Sequence, residues 1–237
     1  MKPERRRGLP AFLLLAAATA FFAATARADE VELLARLAPD LERSAIAEAL
    51  SAMACAKTKG IGTDAGRLAI IDYTRSSREK RFWVFDLQHN ALLFEEHVAH
   101  GKQSGFDVPT EFSNKTGSYQ SSLGLFLTDT TYQGANGYSL QLQGLNGPLN
   151  ARALERRIVM HGAPYVDPDA AARMGRLGRS LGCPAVRKEV AAPMIDAIKQ
   201  GQFLYIYGPG SAVAKNCDTV ALASHADGTS PQAHTHH

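Results

Sequence analysis

The sequence predicts a mostly β, β-rich α+β fold, with a strand domain over residues 63–208, a helical arm before it and one late helix. Three observations carry this. From Arg67 onward the apolar residues fall in short runs rich in Ile, Val, Phe and Tyr, bounded by turn residues. Only one later segment, 189–199, has a helical period. Long helices do not alternate with the strands, which argues against a doubly wound parallel sheet.

Residues 1–28 read as an export leader. Lys2, Arg5, Arg6 and Arg7 precede an apolar run from Leu9 to Ala24, and Ala26-Arg27-Ala28 has the small-x-small form of a cleavage site. The expected location is therefore the periplasm or the medium. The leader holds five basic side chains and one acid, so removing its +4 from the +3 of the whole chain leaves about −1. That balance gives no case for nucleic acid, and no membrane span is expected beyond the leader.

Residues 29–62 form the arm. Leu33, Leu34 and Leu37 share one face, and Pro39 interrupts the pattern. A second helix over 41–57 presents Ile46, Ala49, Leu50 and Met53, and ends before Gly60. Strands are expected over 68–74, 81–87, 91–101, 123–132, 138–145, the IVMHG run and 203–208, about seven in all. Ser76-Ser77, His89-Asn90 and Gly134 to Gly137 mark turns. The polar, Gly/Ser-rich stretch 102–124 reads as a functional loop. Residues 209–237 read as a polar, flexible tail whose His225, His234, His236 and His237 suggest at most loose metal uptake.

The three cysteines, Cys55, Cys183 and Cys217, are an odd number. In an oxidising compartment one thiol is then free or paired between chains. One solution joins Cys55 to Cys217 and leaves Cys183 free. Cys183 stands between Gly182 and Pro184, and 22 residues earlier His161 ends an apolar strand beside Gly162. A thiol and an imidazole form a candidate nucleophile and base, although His161 equally suits the cap of a turn. Arg173, Arg176 and Arg179 in the intervening loop would favour a thiolate. The amides of Gly182 and Cys183 could hold an oxyanion. Tyr165 and Asp167 are candidates to line the pocket or orient the imidazole, or else surface residues. His97, His100, His161 and Cys183 match no zinc-ligand spacing, so no metal or other cofactor is expected. His100 reads instead as part of a substrate-side loop, or as support for the site.

The stretch HGAPYV…GRSLGCPAV is similar to the catalytic segment of the L,D-transpeptidases (YkuD-like), cysteine enzymes that remodel bacterial peptidoglycan. His161-Gly162 matches their strand-end pair, and Ser180-Leu181-Gly182-Cys183 matches their Ser-His-Gly-Cys turn. SSLGLFLT (121–128) resembles a strand bordering the substrate cleft, which brings in Ser122. The wider resemblance covers about 67–208 and points to a divergent branch. It implies a β-sandwich catalytic domain, with Cys183 as nucleophile, His161 as base and peptidoglycan stem peptides as substrate. Leu181 replaces the family's histidine, and Ala185 stands where an arginine or asparagine usually follows. The resemblance therefore turns to Arg179 or Arg187 for carboxylate binding.

Overall fold

The computed structural model describes residues 27–212 and 217–222. Residues 1–26 of the expected leader and the tail histidines lie outside the described residues. Residues 27–37 form helix α1, and α2 spans Arg43–Thr58. Eight strands follow: β1 (Arg67–Asp72), β2 (Phe82–Asp86), β3 (Ala91–Glu96), β4 (Gly124–Gly134), β5 (Gly137–Gly144), β6 (Val159–Gly162), β7 (Ala185–Val186) and β8 (Phe203–Tyr207). Helices α3 (Gly147–Asn150), α4 (Pro168–Met174) and α5 (Lys188–Ile198) lie between them.

The chain is thus a mixed α+β fold with N-terminal helices and a late helix. The strands expected as a sandwich are hydrogen-bonded into one near-barrel sheet, ordered β3-β2-β1-β8-β4-β5-β6-β7. Pairs are antiparallel except β1–β8 and β6–β7.

Strand periodicity explains the two cores. Along β1, Leu68 and Ile70 face one side while Ala69 and Ile71 face the other, and all four are buried. The first side packs with Trp83, Phe85, Leu125, Phe203 and Tyr205 against Ile46, Ala49, Leu50 and Met53 of α2. The second packs with Phe82, Val84, Phe126, Leu140, Met160 and Leu204 against Ala191, Met194, Ile195 and Ile198 of α5. A helix therefore covers each face. Each large apolar side chain buried in this way contributes about 1.5–3 kcal/mol.

Three elements differ from the sequence reading. The two-residue β7 is an eighth strand, too short to show any period. The short α3 lies in a stretch read without structure. The Gly- and Arg-rich loop after His161 contains α4, whose first turn is capped by the Asp167 carboxylate, which accepts from the amides of Asp169 and Ala170. Gly175, in the left-handed region at φ +76°, ends it. Asp167 is therefore a helix cap and does not orient the imidazole.

Cys55 and Cys217 are disulfide-bonded, and Cys183 is free. The bond ties the end of α2 to a short 3-10 turn at Cys217–Thr219. Val220, which follows, is buried and bridges to Asn146. Among the described residues no helix is long and apolar enough to cross a membrane.

Candidate active site

The parallel pairing of β6 with β7 brings the site together. His161 lies opposite Ala185, two residues past Cys183, and its amide reaches the Pro184 carbonyl. His161 and Cys183 line one cavity of about 360 Å³, with Arg156, Arg157, Ile158, Tyr165 and Arg179 among the other walls. A second cavity of about 270 Å³ shares His161, Tyr165 and Asn136 with the first and is lined also by Gly162 and Lys188.

The turn that carries Cys183 is held from several directions. Ser180 Oγ donates to the Cys183 carbonyl at 2.6 Å and accepts from the Gly182 amide at 3.0 Å. Ser121 Oγ donates to the Gly182 carbonyl. Gly182 has φ +126°, and a Cβ there would lie 2.9 Å from the Gln120 carbonyl, so the position requires glycine. The Ser180 amide donates to the His100 carbonyl, and the Lys102 amide to the Ser180 carbonyl, fastening the turn to the 102–124 loop.

The thiol is half-buried. Its Sγ accepts from the Val159 amide at 3.5 Å and lies 3.7 Å from the Arg157 carbonyl. Burial pushes the thiol above its ordinary pKa, while the Val159 amide and the Arg156 charge pull it down. The His161 imidazole is held below its ordinary value, chiefly by burial. Its Nδ1 is 3.0 Å from the Gly162 carbonyl. A carbonyl can only accept, so Nδ1 carries the proton and Nε2 is left as the base. A backbone oxygen orients the ring.

Other sequence-level candidates scatter. Tyr165 and Ser180 line the nucleophile cavity, and burial raises the Tyr165 phenol to about 12. Gly162 lies in the adjoining cavity. His100 is 1% exposed, between Arg81 Nη2 and the Gly105 carbonyl, so it supports the loop and cannot touch substrate. Ser122 Oγ is engaged by the Ser113 carbonyl and by Arg156. Arg187 forms a two-pronged ion pair with Glu96 and is absent from the cavity wall, so it is not available for carboxylate binding. Arg179 does line the cavity, with Nη1 donating to the carbonyls of Lys102 and Gly105.

Two further expectations change. Arg173 is exposed, Arg176 packs over Phe106 and Arg179 is engaged by the Lys102 and Gly105 carbonyls, and the charge that pulls the Cys183 thiol down is that of Arg156. The Gly182 amide is occupied by Ser180 Oγ, which leaves the Cys183 amide as the candidate oxyanion donor at the turn. Sequence reasoning missed Arg156 and Asn136. Asn136 had a signal, since it lies in the Gly134 to Gly137 turn, but nothing local joined either residue to Cys183. Among the described residues no group of three or more His, Cys, Asp or Glu could hold a metal ion.

A family model for an L,D-transpeptidase catalytic domain matches residues 37–207. The chain belongs to that family. No curated protein matches it. Among solved structures it is similar to an L,D-transpeptidase from Mycobacterium smegmatis, at 13% identity and TM-score 0.39, over 61% of this chain and 59% of that one. L,D-transpeptidase 1 from Mycobacterium tuberculosis matches at 14% identity and TM-score 0.34, over 60% and 62%. The helical cell shape determining protein Pgp2 from Campylobacter jejuni matches at 12% identity and TM-score 0.41, over 59% and 46%. The chain thus spans about half to three-fifths of the length of these structures.

Proposed function

We propose that this protein transfers acyl groups on peptidoglycan stem peptides through Cys183. The observation that carries this is one cavity holding both Cys183 and His161 in a chain of L,D-transpeptidase family membership. The thiolate attacks the carbonyl at the L-centre of diaminopimelate in a tetrapeptide donor. His161 Nε2 takes the thiol proton and returns it to the leaving amine, so that D-alanine departs and a thioester remains. The side-chain amine of a second stem resolves the thioester into a 3–3 crosslink and regenerates the thiol. The Cys183 amide steadies the oxyanion. Among the described residues the cavity wall holds Arg156, Arg157 and Arg179 and no carboxylate, which suits an acidic stem peptide. The Cys55–Cys217 disulfide agrees with an exported protein working in the periplasm or medium.

The test is incubation with defined tetrapeptide muropeptides, with products and protein read by mass. Crosslinked dimers, released D-alanine and an acyl adduct on Cys183 are expected, all lost in Cys183→Ala. Tripeptide and D-alanine without dimers would make the protein an L,D-carboxypeptidase. Retention on sacculi unchanged by Cys183→Ala, with no turnover, would make it a binding module.

A further inference from the structure

The guanidinium of Arg156 is half-buried in the wall of the nucleophile cavity. Its Nη1 donates to the Ser113 carbonyl at 2.6 Å and to Ser122 Oγ. Its Nη2 donates to the Gln120 carbonyl at 2.6 Å and to Ser118 Oγ at 3.3 Å. These bonds use both hydrogens on each terminal nitrogen. All four acceptors are neutral, and among the described residues no carboxylate is paired with this arginine. Buried charges are ordinarily paired, because desolvation is costly. Nη2 lies 3.3 Å from where a Cβ on Gly182 would stand, beside the residue that precedes the thiol.

We infer that Arg156 is a positioning residue whose fixed charge favours the thiolate form of Cys183, the counter-ion this guanidinium otherwise lacks. The inference rests on Cys183 being the nucleophile of the proposed acyl transfer. Recognition of a substrate carboxylate fits Arg156 less well, because a carboxylate would need the terminal N–H pairs already given to the loop. A charge is also needed here. Burial raises the thiol and lowers the imidazole, and the Arg156 charge opposes the rise at the thiol. The same four bonds pin the 113–122 loop against the cysteine turn, so loop placement and thiol ionisation share one residue.

The test is alkylation of the full chain by iodoacetamide across pH, read by mass. The other two cysteines are disulfide-bonded, so the label reports Cys183 alone. Arg156→Met is expected to react about tenfold more slowly at pH 7, its midpoint raised by about one unit. Arg156→Lys keeps the charge but cannot serve four acceptors, and should stay within about twofold of wild type. An unshifted Arg156→Met profile overturns the inference, as does an Arg156→Lys profile slowed as much as the Met variant. If Arg156→Met does not fold by circular dichroism, Arg156→Lys decides alone: about twofold or less supports the inference, and a tenfold loss overturns it. Alkylation needs no peptidoglycan, so a failed muropeptide assay would leave this result standing.

Discussion

Cys183 and His161 are placed by residues with no chemical role of their own. Ser180 ties both sides of the cysteine turn, and the Gly162 carbonyl fixes the imidazole tautomer. The pair was legible in the sequence because each residue stands beside a glycine in a matching motif. Arg156 was not, since its significance lies in reaching a loop some forty residues earlier. His100 gives a test at this scale. Burial, reinforced by the Arg81 charge, lowers its pKa to about 3, so the folded protein keeps it neutral. In the unfolded chain it titrates near 6.5 and takes up a proton that the folded state refuses. Stability should therefore fall as pH drops from about 6.5 towards 3, by up to about 1.4 kcal/mol per unit, and be unaffected by this group above that window. Urea unfolding of wild type and His100→Gln between pH 7 and 4 checks it, with the substitution expected to flatten the slope.

At the scale of elements, β6, β7 and the 102–124 loop converge on the Gly182-Cys183 turn. The long strands were readable from their period. β7 was not, because two residues have no period, yet its pairing brings His161 to Cys183. α4 has sequence signals at both ends, Asp167-Pro168 at its start and Gly175 at its end. The turn itself is sensitive to substitution. Gly182→Ala would force a Cβ to 2.9 Å from the Gln120 carbonyl at a positive φ. A loss of about 1–3 kcal/mol in urea unfolding is expected, together with slower Cys183 alkylation as the turn shifts.

Across the whole molecule, α2 and α5 cover opposite faces of one sheet, and the disulfide joins α2 to residues near the chain's end. The arm and its apolar face were legible from Ile46, Ala49, Leu50 and Met53. Closure into a single near-barrel was not, since the parallel β1–β8 pairing joins residues more than a hundred positions apart. The disulfide bridges 162 positions, and its reduction should cost about 2–5 kcal/mol, seen as a lower thermal midpoint. Cys55→Ser with Cys217→Ser should reproduce that loss. Neither cysteine lines the nucleophile cavity, so native-state alkylation of Cys183 should be little changed.

The central claim is that Cys183 carries the acyl group, and intact-protein mass after brief exposure to a tetrapeptide muropeptide tests it most directly. The account predicts an added tripeptide-stem acyl mass on wild type, mapped to Cys183 and absent from Cys183→Ala. No adduct and no turnover on wild type, or the same adduct on Cys183→Ala, would contradict it.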